Sequence, residues 1–198
     1  MRTAVLAALL GLLAACLSID RPALDKRRFL LEVSRPEASP AAAHGSLVVA
    51  PFHVQAPYAG GGFVHRRGGG EVVADFHTEF FVPPGVLLAN LTRRWLGDAG
   101  LFATVAGDGT RLPPTHVLEA DVLALCVDER PPEGPHAVLE LEVVVLDVER
   151  RLVYRDRLTD RQTLADLTPE TIVSGWNRCG AAVLATLEER LRERLPRD

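Results

Sequence analysis

The chain has 198 residues, with 22 Lys and Arg against 26 Asp and Glu, and a formal net charge of −4 at pH 7. That acidic balance, without a block of basic residues anywhere, excludes nucleic acid as a partner. Less an apolar N-terminal segment, the chain leaves roughly 180 residues, the size of one domain with its own core.

Arg2 precedes an apolar or small run from Ala4 to Ala15. A membrane-spanning helix needs about 20 apolar residues; this run is shorter, and DKRRF brings charge soon after it, from Asp25. Residues 1–15 therefore read as a signal peptide. Leu13-Ala14-Ala15-Cys16 resembles the bacterial lipobox, whose cysteine is acylated and becomes the new N-terminus. A plain signal peptide with a cysteine near the cut is the alternative. One acyl chain holds a protein only marginally, at ~0.8 kcal/mol per buried methylene, whereas two or more give stable attachment. In the lipobox pattern an Asp after the cysteine is the usual signal for inner-membrane retention; Leu17 stands there, which suggests the outer membrane and a domain facing the periplasm. Residues 16–28 are then the lipidated N-terminus and tether, and residues 29–198 one domain.

Phe29 to Val33 reads as a first strand, PEASPAAAH (Pro36 to His44) as a loop, and SLVVAPFHV (Ser46 to Val54) as a buried strand. APYAGGG is a turn, and FVHRR pairs across GGG with EVVADF (Glu71 to Phe76) in a glycine-ended hairpin. After Pro83 and Pro84 the period changes. Val86, Leu87, Leu91 and Trp95 recur at helical spacing, with stop signals at Gly97 and Gly100. A strand follows from Leu101 to the GDGT turn, and three more span Val117 to Glu129, Ala137 to Glu149 and Leu152 to Leu158. In the second of these Leu139, Leu141, Val143 and Val145 alternate with Glu140 and Glu142, so one face is buried and part of the other is wet. Thr168 is an N-cap before Pro169, and Ile172, Trp176, Val183, Leu187, Leu191 and Leu195 form the stripe of a long amphipathic helix. The sum is an α+β fold: a mixed, largely antiparallel sheet of about six strands with two helices packed on one face.

Little in the sequence carries chemistry. The hydrolase-elbow, phosphate-loop and zinc-protease motifs are absent, and neither glycine run lies between a strand and a helix N-terminus. His77 and Glu79 would share a side of an extended segment and could hold a metal as a pair, but no further ligand completes a site, and a strand edge explains them better. No metal, cofactor or catalytic role is therefore expected, and the protein reads as non-enzymatic. Cys126 and Cys179 are candidates for a disulfide in an oxidising compartment, or two small buried hydrophobes. His65-Arg66-Arg67 could face anionic lipid or an acidic partner, although two arginines on a hairpin more often form a solvated edge.

The order of features from GSLVVAPFHVQAPY through FVHRR to EVVADFHTEFFVPPGVLLANLTRRWLGDAGLFATV resembles the ABC-type transport auxiliary lipoproteins, which include the Pqi-type lipoproteins. The likeness rests on the lipobox, Val49-Ala50-Pro51, Tyr58, Val64-His65-Arg66, the proline-led helix and the strand from Gly100 to Val105. It departs at Ala59 to Gly62, where the family carries Leu-Asp-like residues, and at Phe80-Phe81, where it often has an Arg-Trp pair. The resemblance implies a non-enzymatic subunit of an intermembrane lipid transport system, docking an MCE-domain protein of an ABC transporter complex at the outer membrane. It also makes a homo-oligomer plausible. Tyr58, Phe63, His65, Arg66, Phe80 and Phe81 are the candidate partner contacts, with core packing the competing role for the aromatic residues. A lipoprotein activator of a cell-wall synthase is the alternative function, and a secreted hydrolase a weaker one.

Overall fold

The computed structural model describes residues 25–37 and 45–195, so the expected signal peptide, Cys16 and most of the tether lie outside the described residues. Among the described residues nine strands and two α-helices follow one another, with short 3-10 turns at Ala56–Tyr58 and Gly68–Gly70: β1 Arg27–Phe29, β2 Ser46–Val49, β3 His53–Val54, β4 Gly62–Arg66, β5 Val72–Phe80, α1 Pro84–Asp98, β6 Thr104–Gly107, β7 His116–Asp128, β8 His136–Asp147, β9 Leu152–Thr163 and α2 Pro169–Arg194. This is the expected α+β arrangement, with both helices contributing to one core against one face of a mixed sheet.

β7 is the axis of the sheet. β8 and then β9 add to one of its edges as an antiparallel meander. Along its other edge run β2, β3 and β4, one after another and all parallel to it. The expected single strand from Ser46 to Val54 is thus broken in two. Pro51 has no N–H to give a ladder, yet the flanking Ala50 and Gln55 N–H groups still bond Leu118 and Val122 carbonyls of β7, at 2.9 and 3.1 Å. β2 also pairs with β6, while β4 forms the expected hairpin with β5, and β5 pairs in parallel with β1. Among the described residues β9 pairs with β8 alone and is a long edge.

The first strand lies earlier than the pattern placed it. β1 begins at Arg27, inside the segment expected to be tether, and Leu31 and Val33 leave the sheet to pack over α2. There the Glu32 N–H donates to Asn177 Oδ1 at 2.9 Å, and Gly180 leaves room for Val33, whose Cγ2 would lie 2.9 Å from an added Cβ. Gly85 does the same for α1, since a Cβ there would sit 2.3 Å from the Phe52 carbonyl oxygen.

α2 starts as the sequence predicts. The Thr168 hydroxyl accepts from the Thr171 N–H, and Pro169 occupies the first turn, where its missing N–H costs nothing. Its stripe of Ile172, Trp176, Val183, Leu187 and Leu191 is buried against Leu139, Leu141 and Leu158 of β8 and β9. At the centre Phe63 meets Phe80 and Trp176 at 4.8 Å between ring centroids, the Trp176 contact being edge-on. A smaller cluster of Tyr58, Val64, Ala124, Cys126 and Val138 lies apart from this core.

Candidate functional site

The residues proposed as partner contacts divide into two groups. Phe63 and Phe80 belong to the aromatic centre, and Tyr58 is buried in the smaller cluster. None of the three offers a surface to a partner; the requirement to bury large aromatic area has claimed them. Phe81 is 64% exposed, and Arg66 and His65 are partly exposed on β4. The signal that separates Phe80 from Phe81 is the alternation of an extended chain, which sends the last residue of β5 inward and the one after it outward.

At the end of β4 and β7 the ionisable groups form two small networks. His65 Nδ1 lies 2.6 Å from Glu129 Oε1, and Arg67 Nε is 3.4 Å from the other carboxylate oxygen. Beside them the buried Asp128 accepts two hydrogen bonds from Arg130, from Nε and Nη2, both at 2.7 Å, and Arg161 stands 3.8 Å away. The hydrogen bonds from Arg130 outweigh the burial that opposes them and hold the Asp128 carboxyl down to about 2. A third network ties the N-terminal segment to both helices. Glu188 accepts from Arg35 Nε at 2.8 Å and Nη2 at 3.0 Å, from Trp95 Nε1 at 3.0 Å and from Arg192 at 2.8 Å. Burial pushes the Glu188 carboxyl up, but these donors together bring it below the usual carboxylate range. The network borders a cleft of about 550 Å³ that Ala181 and Ala185 also line.

His77 and Glu79 do not act together. Glu79 is held by Lys26 and Arg28, each at 2.9 Å, while the His77 ring stands edge-on to Phe76. Among the described residues no group of three His, Cys, Asp or Glu is placed to hold a metal ion.

The candidate disulfide is corrected: Cys126 and Cys179 are both free and buried. Cys126 packs in the smaller cluster, whereas Cys179 lies in the main core and donates to the Ala137 carbonyl at 3.3 Å. The separate clusters and the intervening sheet account for this. Burial drives the Cys179 thiol up to about 12, so it is inert as a nucleophile.

Sequence reasoning missed Phe76 and Val72, which are 56% and 52% exposed on β5. Both sit in a run that reads as an ordinary strand, and its pattern does not say which side the rest of the fold leaves uncovered.

No family model and no curated protein matches the chain. Two crystal structures share its fold well. A Xanthomonas campestris protein described under the family model DUF330 matches with a TM-score of 0.69 and 20% identity, covering 81% of this chain and 92% of its own. An uncharacterised protein matches with a TM-score of 0.64 and 15% identity, covering 84% of this chain and 98% of its own. A PelC dodecamer from Paraburkholderia phytofirmans is looser, at a TM-score of 0.47, 16% identity and coverage of 76% and 92%. The membership expected from the sequence motifs is overturned, because no family model matches and the structure that shares the fold well is described under DUF330 and not as a Pqi-type or MCE-associated lipoprotein. The MCE and ABC transporter partners implied by that membership lose their support with it. At these identities the likeness establishes the fold, and the chain has the α+β fold of the DUF330 structure.

Proposed function

We propose that the protein is a lipid-anchored, non-enzymatic domain of the bacterial envelope, holding a protein partner at the membrane. The observation that carries this reading is how the chain following the candidate anchor enters the fold. β1 pairs with β5, Leu31 and Val33 enter the core, and Arg35 closes on Glu188. A pull on the tether is therefore resisted by the sheet, the core and an ion pair in succession, as a tethered adaptor requires. The carboxylates of the candidate site fit an adaptor's rigid frame: Glu79, Asp128, Glu129 and Glu188 are each engaged by cationic side chains or His65.

The anchor is tested by labelling cells with palmitate. The native chain takes up label and Cys16→Ala does not; label on the variant would overturn the anchor. The partner is tested by crosslinking the acylated protein in its own envelope and identifying what is recovered. A reproducible envelope protein that is lost with Cys16→Ala supports the adaptor; a cell-wall synthase in that role favours the activator reading; hydrolytic activity in the purified protein would overturn both.

A further inference from the structure

The tether leaves the fold beside an apolar patch. The Lys26 ammonium lies 5.0 Å from the centre of the Phe76 ring and also pairs with Glu79. Val72, Ala74 and Phe76 are exposed and alternate with the half-buried Val73 and Asp75; the hairpin register shifts between Ala74 and Glu79, so this outward set ends there and Thr78 and Phe80 turn into the core. Val64 pairs with Ala74 across the hairpin and belongs to the small cluster of Tyr58, Ala124, Cys126 and Val138. An apolar surface thus starts inside the fold and runs out along the hairpin to its glycine tip. Exposed Phe76 lies where the tether emerges and exposed Val72 nearer the hairpin tip.

The chain outside the described residues says what covers this surface. Between the candidate acylation site and the first described residue lie only Cys16 to Leu24, a span of at most ~30 Å when fully extended. Because β1 runs parallel to β5 with Arg27 beside Thr78, the tether begins near Phe76. Any acylated form of this chain therefore keeps the patch within reach of the bilayer, at the high effective concentration that a short link imposes. The charges around it are mostly paired: Lys26 and Arg28 share Glu79, Arg27 meets Glu170, and Arg67 shares Glu129 with His65. An apolar side rimmed by paired charges with a small cationic excess suits the boundary between lipid headgroups and acyl chains.

We propose that the β4–β5 hairpin is a second, non-covalent membrane contact, with Val72 and Phe76 seated in the bilayer that holds the acyl chains of Cys16. This rests on the anchored reading above. It orients the domain, because β7 runs from the hairpin end to the turn between β8 and β9, ~40 Å away for its 13 residues. Val148 in that turn is 63% exposed.

The test uses the mature acylated protein in phosphatidylethanolamine–phosphatidylglycerol vesicles containing brominated phosphatidylcholine. Trp95 and Trp176 are buried and give a constant background. Phe76→Trp should lose more than about half of its added emission to the brominated lipid, and Val148→Trp less than about a tenth, as expected for a side chain at the acyl boundary and one remote from it. The Phe76→Trp quenching should persist at high salt. Intact mass and vesicle flotation report the anchor separately. Acylated protein that floats while Phe76→Trp stays unquenched, or while both variants are quenched alike, overturns the hairpin contact and leaves the anchor standing. Protein that carries no acyl chain and does not float overturns the anchored reading and the hairpin contact with it.

Discussion

On the helix side of the sheet Phe63, Phe80 and Trp176 pack ring against ring, and Leu139, Leu141, Val143 and Val145 of β8 point into the same core. On the opposite side the same strand presents Glu140 and Glu142, which pair with Arg157 and Arg155 of β9. One strand therefore serves two kinds of physics, apolar burial on one side and solvated ion pairs on the other. The difference teaches where stability resides. Burying a large side chain is worth kilocalories, whereas an exposed pair is screened and pays side-chain entropy.

The contrast can be broken most forcefully at Trp176, which is fully buried and donates to the Cys126 carbonyl at 3.2 Å. Trp176→Ala should cost about 4 kcal/mol through lost burial and the cavity left behind, read as a fall in the urea midpoint. Glu188→Ala comes next. It leaves Arg35 and Arg192 without their shared acceptor, and a loss of about 3 kcal/mol is expected from the same measurement. Proteolysis within residues 31–37 should quicken in parallel, because that segment loses its latch.

Asp128 sharpens the comparison, being a carboxylate that behaves like core. Its folded value of about 2 lies below the ordinary 3.8, so its contribution is fully present above about pH 4 and is lost as pH falls through 2. The shift corresponds to about 2 kcal/mol. Asp128→Asn should flatten the stability profile in that acid window relative to the native chain. At the small end, Glu142→Gln together with Arg155→Gln on the outer side should leave the midpoint within experimental scatter. A large loss there would show that the outer pairs act as one network.

Much of this arrangement is legible in the sequence, and the rest fails for identifiable reasons. The alternation of leucines and glutamates in β8 and the Thr168-Pro169 start of α2 reflect local rules, and the structure keeps them. The parallel pairings of β1, β2, β3 and β4 do not follow from local rules, since a strand carries no mark of which distant edge it will join. The same blindness misplaced Phe63 and Phe80: aromatic residues near a hairpin look equally suited to contact and to core, and only Trp176, more than ninety positions away in the chain, decides. Phe76 escaped notice for the converse reason, because its exposure depends on the cover that the rest of the fold fails to provide.

The edge of β9, unpaired among the described residues, has a consequence at high protein concentration. A strand of 12 residues with a free edge is a template for another copy. Its Arg155, Asp156, Arg157, Asp160 and Arg161 prevent that in the antiparallel two-fold arrangements centred on this segment. Centred on Leu158, the pairing sets Asp156 against Asp160 and Arg155 against Arg161; centred on Thr159 it sets Arg157 against Arg161. Centred on Asp156, Arg157 or Asp160, it sets each of those against its own counterpart. Like charges directly opposite are destabilising, so two copies can collide edge to edge without zipping their β9 strands into a paired dimer.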